Sequence, residues 1–360
     1  MTNTSPFPTL FVDLDIVRSN ISKMNDKVKR NNAEFRPHFK THQSRQIGRM
    51  FRKFGVEGIT VSSLKMANYF AEDGWKDITI AFPANILAAD YYNSLAAVCQ
   101  LKTLVISEKV VSQLDAQLQN ELGLYIEIDP NYGRSGIPVS DHERIASVIK
   151  AIERSENCNL AGFYCHAGHT YRARSKKEVE EIAGKALGQL ALLKKVFPEI
   201  SLCFGDTPSC SVLEDFGPAD QISPGNFVFY DWMQVEIGAC TPAEIAVTMK
   251  CPIIEKFDDR EEILIHGGAV HFSKDSAQNK FHTSFGQLIT PELSEENYLQ
   301  NLSQEHGIIH CSPGTYNSFK IGDSVDIYPI HSCLTADVMR GYYSIDGKIL
   351  DHMNKSVEAF

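Results

Sequence analysis

Lys40 lies near the end of a short run, FRPHFKTH, that begins at Phe35. Alternation along a strand would put Arg36, His38 and Lys40 on one face. Three cationic or cationisable groups on one face raise the cost of charging each of them. A lysine in such a setting can form a Schiff base with a carbonyl compound, and pyridoxal 5'-phosphate (PLP) is the commonest partner. A strand-end lysine that caps a loop or pairs with a carboxylate is the alternative.

A second set of reactive side chains lies near the C-terminus, where one residue separates His331 from Cys333. On an extended chain both side chains would project to the same side. An imidazole nitrogen and a thiolate sulfur suit Zn²⁺, and two protein ligands leave open positions for water or substrate. The pattern predicts a metal site, although the same spacing also arises by chance in chains that bind no metal.

The composition excludes several classes of function. The chain has 360 residues and a net charge of -10, which argues against a nucleic-acid-binding protein. No stretch approaches the roughly 20 apolar residues of a membrane span. The first residues lack a secretory pattern, and the odd count of nine cysteines indicates reduced thiols. We therefore expect a cytoplasmic enzyme that acts on a small molecule.

Short apolar strands alternate with amphipathic helices through the first two thirds of the chain. The predicted strands are 33–40, 56–62, 77–83, 103–107, 123–129, 160–166, 201–206 and 220–223. Helical patterns begin after Asp13 or Asp15 and run over 175–196. This alternation predicts an α/β fold of the TIM-barrel type, with a doubly wound open sheet as the alternative.

The pattern changes from about residue 235 onward, where strand-like runs at 243–248, 262–266 and 324–330 are separated by turns. It predicts a mostly β C-terminal domain. We place the barrel at 11–234 and the β domain at 235–360, joined by residues 1–10.

A TIM barrel carries its chemistry at the C-terminal ends of the strands, and the last two loops often bind phosphate. Thr207 follows the seventh predicted strand, and Gly225 and Asn226 follow the eighth. Glycine lets the backbone approach an anion closely, and the threonine offers a hydroxyl donor. These loops, together with Lys40 after the first strand, indicate a phosphorylated cofactor.

Other candidate residues follow the fifth and sixth strands. Arg134 could donate to an anionic oxygen of a ligand, or it could form an ion pair with Asp129 that shapes the loop. His166 and His169 could carry protons or orient Lys40, and buried, hydrogen-bonded histidines are the alternative.

Taken together, these residues resemble the D-serine dehydratase and D-threonine aldolase family of fold-type III PLP enzymes, which shares the alanine racemase barrel. The resemblance covers nearly the whole chain, from LFVD at Leu10 onward. Its most specific motifs are RPHFKTH at Arg36, PGNFVFYD at Pro224 and HSC at His331.

The resemblance implies a role for each candidate. Lys40 would be the PLP lysine and the base at Cα. Arg134 would approach the phenolic oxygen of PLP, and Tyr171 would lie in the cofactor-facing loop HAGHTY. The remaining matches are Thr207, Gly225 and Asn226 for the phosphate and His331 and Cys333 for the metal.

The His-x-Cys motif resembles the dehydratase branch with Zn²⁺. Aldolase-like members more often have His-Cys-Asp and a harder metal such as Mn²⁺ or Mg²⁺. The expected reaction is loss of water from D-serine or another D-β-hydroxy amino acid in a homodimeric enzyme. The alternative is a D-threonine aldolase that releases glycine and an aldehyde. Ser223 replaces the racemase arginine before the Pro-Gly turn, which disfavours a racemase, and the extra β domain disfavours a non-catalytic PLP carrier.

Overall fold

A computed structural model describes residues 6–278 and 282–354. The strands are β1 Thr9–Val12, β2 Glu34–Phe35, β3 Gly58–Val61, β4 Asp77–Pro83, β5 Gln100–Val105, β6 Leu122–Asp129, β7 Ile137–Pro138, β8 Cys158–Cys165, β9 Leu202–Phe204, β10 Gln221–Ile222, β11 Val247–Phe257, β12 Glu262–His266, β13 Ala277–Gln278, β14 Thr283–Ser284, β15 Gly286–Leu288, β16 Tyr298–Leu302, β17 His306–His310, β18 Ser324–Pro329, β19 Tyr342–Ser344 and β20 Ile349–Leu350. The helices are α1 Leu14–Arg30, α2 Arg45–Arg52, α3 Leu64–Glu72, α4 Ala89–Ala96, α5 Glu108–Asp115, α6 His142–Glu153, α7 Lys176–Val196, α8 Thr207–Val212, α9 Trp232–Ile237, α10 Ala269–Phe272, α11 Pro313–Ser318 and α12 Ser332–Met339.

The chain divides into two compact units. The barrel unit comprises Ile21–Lys40 and Ile47–Phe227, and the β unit comprises Met1–Asn20, Thr41–Gln46 and Val228–Phe360. Residues 1–5 and 355–360, which the sequence assigned to the β domain, lie outside the described part. Within the described ranges, no helix combines the length and the apolar character of a membrane span.

The barrel unit is built on parallel strands in the order β2-β10-β9-β8-β6-β5-β4-β3. The two ends of this sheet meet beyond β2, where His38 pairs with Thr60 of β3. The Phe39 amide donates to Thr60 O over 2.8 Å, and the Thr60 amide donates to Pro37 O over 2.9 Å. These bonds close the eight strands into a barrel and confirm the predicted α/β class over the open sheet.

The sequence explains most of the elements of the barrel. All of β6 except its last residue is buried, as expected for a parallel strand covered on both faces. The Ser175 side chain caps α7, which confirms the helix predicted over 175–196. Asp13 is the cap that begins α1, since its Oδ1 accepts from the amides of Asp15 and Ile16.

The predicted strand 33–40 is regular only at Glu34–Phe35. The buried Arg36 guanidinium donates to Asp77 over 2.6 Å and to Glu34 over 2.8 Å. Burial by itself would lower the pKa of Arg36, but the bond and charge of Asp77 outweigh it and raise that pKa. Crowding of Arg36, His38 and Lys40 as like charges on one face was therefore wrong, because carboxylates neutralise Arg36.

Phe39 fixes the backbone immediately before Lys40. Its ring centroid lies 5.0 Å from those of Phe51 and Phe70 and 5.2 Å from that of Trp75. Such tilted and edge-to-face contacts add about 1 kcal/mol each beyond their buried area. The segment that carries Lys40 is thus held by the core and by the ladder that closes the barrel.

The β unit contains a nine-stranded sheet in the order β12-β17-β16-β15-β18-β11-β1-β19-β20, in which β11 also pairs with β12, and a separate two-stranded sheet of β13 and β14. It confirms the mostly β character of the C-terminal region. The strands predicted at 262–266 and 324–330 are present as Glu262–His266 and Ser324–Pro329. The strand predicted at 243–248 was misplaced, because Pro242–Glu244 forms a 3-10 turn and β11 begins at Val247.

We predict that Arg36→Ala lowers the free energy of unfolding by about 3 kcal/mol, because it leaves Asp77 partly buried with one cation fewer. Lys102, which also binds Asp77, keeps the loss at this level. Urea unfolding would measure it. Arg18→Ala is the control, since Arg18 and its partner Asp15 are 56% and 85% exposed and we expect less than about 0.5 kcal/mol. Equal effects of the two variants would contradict the prediction.

Candidate active site

His166 follows β8 at the C-terminal end of the barrel strands. Its Nδ1 lies 2.7 Å from Gly205 O, and a carbonyl only accepts, so the ring proton is on Nδ1 and Nε2 keeps its lone pair. Burial, followed by the charges of Lys40 and Arg134, lowers the pKa of His166 to about 3. The ring is therefore neutral at physiological pH.

Thr207 joins three loops of the barrel. Its amide donates to the Tyr171 hydroxyl over 3.3 Å, and its Oγ1 accepts from the Phe227 amide over 3.2 Å. Gly225 and Asn226 lie between Phe227 and Pro224, whose carbonyl accepts from the His38 amide. The loops after the sixth, seventh and eighth barrel strands are thus linked through one residue.

Asp206 sets the start of α8, immediately before Thr207. Its Oδ1 accepts from the Ser209 amide over 2.7 Å and from the Thr170 hydroxyl over 2.8 Å. Burial raises the pKa of Asp206 to about 6, although these hydrogen bonds oppose the shift. The sequence indicated this loop, but not the capping role of its aspartate.

Arg134 lies in the loop after β6. Its guanidinium lies 3.5 Å from Glu127 Oε1 and 5.5 Å from the ring centroid of Tyr132. An ion pair of Arg134 with Asp129 was the alternative expected from the sequence, and it was wrong. Asp129 instead accepts from the backbone amides of Tyr132 and Gly133, because those amides form the turn that follows it.

His169 stacks on Tyr132, with ring centroids 5.8 Å apart and planes 23° apart. Burial lowers its pKa. A Cβ at Gly168 would come within 2.5 Å of the Tyr132 ring and 2.9 Å of His166 Nε2, so only glycine fits between these rings. The two histidines predicted from the sequence therefore face one aromatic side chain, Tyr132, that sequence reasoning missed.

The candidate residues of the barrel have the chemical character that PLP binding requires. The barrel site combines a lysine whose backbone amide donates to His38 Nδ1 over 3.3 Å, an arginine, and a threonine hydroxyl at the start of a helix. The chain segments that follow β9 and β10 also approach closely, since a Cβ at Gly205 would meet Ser223 O at 2.5 Å. An amine, an anion-binding side chain and a tight loop pair fit a phosphorylated aldehyde.

The predicted metal pair lies in the β unit. His331 caps α12 and Cys333 lies in the first turn of that helix, so the extended segment expected from the sequence was wrong. The two side chains nevertheless form a hydrogen bond. Cys333 Sγ also lies 3.1 Å from the hydroxyl of the buried Thr41. The turn into α12 brings the imidazole and the sulfur together.

Two carboxylates support this pair. Asp275 Oδ2 lies 2.6 Å from His331 Nδ1, and Asp231 Oδ2 accepts from the Ser332 amide over 2.9 Å. Burial acts to lower the pKa of His331, but the hydrogen bonds with Asp275 and Cys333 outweigh it and raise that pKa to about 10. The donor set, one imidazole and one thiol with an aligned carboxylate behind the imidazole, fits Zn²⁺.

Sequence reasoning missed Asp275 and Thr41 as neighbours of the metal pair. Thr41 was visible in the RPHFKTH motif, and Asp231 ends the PGNFVFYD motif. Asp275 stands in a polar segment with no periodic pattern and gave no signal.

His266, His271 and Glu305 form another cluster in the β unit, with ligand atoms within 4.8 Å of one another. The Gly268 amide donates to His271 Nδ1 over 3.2 Å, which places the proton of the neutral ring on Nε2. That nitrogen lies 3.8 Å from Glu305. A metal would need its lone pair, so the cluster suits hydrogen bonding better than metal binding.

Comparison with known proteins agrees with this architecture. Residues 12–221 match the family model "Alanine racemase, N-terminal domain", and residues 246–345 match "Putative serine dehydratase domain". The chain therefore belongs to the alanine racemase-like family, in its D-serine dehydratase and D-threo-3-hydroxyaspartate dehydratase group. PLP is the cofactor expected for this family.

Two relatives match along nearly their whole length. A D-serine dehydratase from Dictyostelium discoideum is 27% identical, covering 94% of this chain and 93% of its own. A D-threo-3-hydroxyaspartate dehydratase from Delftia sp. (strain HT23) is 26% identical, covering 95% of each chain. These matches confirm the resemblance drawn from the motifs.

Solved structures show the same fold. The Delftia enzyme superposes with a TM-score of 0.88 at 23% identity, covering 98% of this chain and 99% of its own. Structures of D-threo-3-hydroxyaspartate dehydratase with a histidine or a cysteine replaced by alanine show the same fold, the cysteine variant in a metal-free form. A D-threonine aldolase from Filomicrobium marinum has a TM-score of 0.83 at 17% identity, covering 96% of this chain and 97% of its own.

We predict that His166→Gln flattens the pH dependence of stability in the cofactor-free protein. The folded pKa of His166, about 3, lies below the unfolded value of about 6.5. The contribution of His166 to the free energy of unfolding is therefore complete above pH 6.5. It is lost as the pH falls toward 3, by about 1.4 kcal/mol per pH unit. Urea unfolding at pH 7, 6 and 5 would show a smaller slope in the variant. Burial also lowers the pKa of His42 to about 3. His42 is present in the wild-type protein and in the variant, so its contribution to the slope is the same in both and cancels from the difference. Equal slopes would contradict the prediction.

Proposed function

We propose that this chain is a PLP- and zinc-dependent lyase that removes water from D-β-hydroxy amino acids and yields a 2-oxo acid and ammonia. The observation that carries the proposal is the pairing of Cys333 with His331. The barrel of the same chain has Lys40 near His166, among the loops that would bind the cofactor. A thiolate favours Zn²⁺ over a harder metal. D-Serine and D-threo-3-hydroxyaspartate are the leading substrates, because the chain matches dehydratases for both along nearly its whole length.

In this proposal the barrel residues hold PLP. Lys40 would bind its carbonyl carbon, and Thr207, Gly225 and Asn226 would hold its phosphate. Tyr171 orients Thr207 through the hydrogen bond from the Thr207 amide. Bound PLP supplies an electron sink for the negative charge that develops at Cα. Arg134 donates to the phenolic oxygen and is itself steadied by Glu127.

The amino group of the substrate would displace Lys40 from the cofactor, and the freed, neutral Lys40 amine would then take the α-proton. His166 stays uncharged beside it, because burial and the nearby cations disfavour its protonated form. Its Nε2 can accept a hydrogen bond while Nδ1 is held by Gly205 O, so His166 orients a donor near Lys40. His169, stacked on Tyr132, is the second proposed proton carrier.

The β unit contributes the leaving-group chemistry. His331 and Cys333 would hold the metal, and the chemistry supplied at that site would be Lewis-acid activation of the β-hydroxyl as a leaving group. Loss of water leaves an enamine, which hydrolyses to the 2-oxo acid and ammonia. Variants of D-threo-3-hydroxyaspartate dehydratase support this pair, because the histidine and the cysteine replaced in them are also two positions apart.

The second candidate is a D-threonine aldolase. A relative with that type of activity supports it, a 3-hydroxy-D-aspartate aldolase from Paracoccus denitrificans that is 23% identical along 95% of this chain. In that reaction the metal would hold the β-hydroxyl while His166 or His169 removed its proton, and the Cα–Cβ bond would break. A low pKa makes His166 a weak base for this step, which favours the dehydratase.

We also propose a homodimer in the cytoplasm. A reducing compartment agrees with the cysteines, since none of the nine forms a disulfide in the described residues. Sedimentation of the purified protein would test the dimer.

A product assay tests the reaction. The purified enzyme with PLP and zinc would be offered D-serine, D-threonine and D-threo-3-hydroxyaspartate separately, and 2-oxo acid, ammonia and glycine would be measured in the same samples. We expect 2-oxo acid and ammonia in equal amounts and no glycine. Glycine with an aldehyde would identify an aldolase instead.

We predict that Cys333→Ala reduces dehydratase turnover at least about 100-fold while the absorbance of bound PLP is retained. The loss follows from the missing sulfur ligand, and the barrel residues are untouched. Cys311→Ala is the matched control, because Cys311 is also a buried free cysteine of the β unit. Full turnover of wild-type enzyme after removal of all metal would refute the role of zinc.

A further inference from the structure

Asp275 makes a short contact with the imidazole of the proposed metal pair. Its Oδ2 lies 2.6 Å from His331 Nδ1. The two residues that follow His331 have other partners, since Ser332 binds Asp231 and Cys333 contacts Thr41. Asp231 binds the backbone and hydroxyl of Ser332, so it fixes the main chain. Asp275 instead contacts the ring.

The position of Asp275 is set by two short helices. The Thr335 hydroxyl of α12 donates to Phe272 O at the end of α10 over 3.0 Å. Beyond Phe272, Ser273 has a positive φ of 72° with ψ -178°, and its hydroxyl accepts from the Asp275 amide over 3.2 Å. The chain therefore turns sharply after α10 and delivers the carboxylate to His331, which lies at the start of α12.

The contact decides which ring nitrogen is available. A carboxylate only accepts, so the hydrogen bond requires a proton on Nδ1. Once the ring gives up its other proton to bind a metal, Nε2 is the nitrogen with the lone pair. A carboxylate behind the ring also increases the electron density that the imidazole offers to a metal.

We propose that Asp275 is a positioning residue that makes His331 Nε2 the metal-binding atom and strengthens metal binding at His331 and Cys333. This inference rests on the proposed metal site, and it adds a residue that does not itself bind the metal. Cys333 is steadied separately by Thr41, so loss of Asp275 weakens the imidazole ligand and leaves the sulfur ligand in place.

The test is a titration of the PLP-loaded, metal-stripped enzyme with Zn²⁺ and with Co²⁺, whose absorbance reports sulfur ligation. We expect Asp275→Ala to lower the affinity for either metal about 10- to 100-fold. The cobalt–sulfur absorption band and the PLP absorbance should be retained, and excess zinc should restore turnover. Asp275→Asn, which keeps an acceptor oxygen, should lose less affinity than Asp275→Ala.

Asp326→Ala is the matched control. Asp326 lies in the same unit and pairs with Lys250 over 2.9 Å, so its loss removes a carboxylate that faces no imidazole. We expect wild-type metal affinity. Wild-type affinity in Asp275→Ala, or turnover that excess zinc does not restore, would overturn the inference.

A measurement on the wild-type enzyme keeps the inference testable if Asp275→Ala does not fold. With cadmium bound and histidine labelled with a magnetic nitrogen isotope, we expect metal coupling at His331 Nε2 and a proton on Nδ1. Coupling at Nδ1, or no proton there, would overturn the inference. If the Cys333→Ala variant bound metal as tightly as the wild-type enzyme, that result would instead refute the proposed metal site.

Discussion

The ladder that closes the barrel at Phe39 and Thr60 is the constraint on which the barrel site depends. Without it the eight parallel strands would form an open sheet with two unpaired edges. The same segment buries Phe39 among aromatic rings and ends at Lys40. The candidate lysine is therefore carried by a part of the backbone that both the core and the sheet restrain, so its position would cost little further ordering on cofactor binding.

Two histidines illustrate how local partners decide charge in this protein. Both His166 and His331 are partly buried, which disfavours the charged ring. His166 faces a carbonyl and nearby cations and stays neutral. His331 faces Asp275 and Cys333, and these partners reverse the effect of burial. One ring is thereby suited to accept a hydrogen bond beside a lysine, and the other to be held by a carboxylate while it binds a cation.

Aspartates recur at the first turns of short helices next to the candidate residues. Asp206 begins α8 beside Thr207, and Asp231 begins α9 while also binding Ser332. A capped helix end has fixed backbone amides, so the side chains on its first turn have fewer alternative positions. Each set of candidate residues is in this way anchored by a carboxylate that takes no part in the proposed chemistry.

The sequence by itself determined the α/β barrel, the mostly β region and the family, because strand periodicity and the motifs around Lys40, Asn226 and His331 are local features of the chain. Tertiary structure decided the partners of these residues. Arg36 was expected beside Lys40 but binds Asp77, 41 residues away, and Arg134 binds Glu127 rather than Asp129. Asp275 reaches His331 across 56 residues. Such contacts depend on how strands and helices pack, since hydrogen bonds and charges act over a few ångströms of space and not along the sequence.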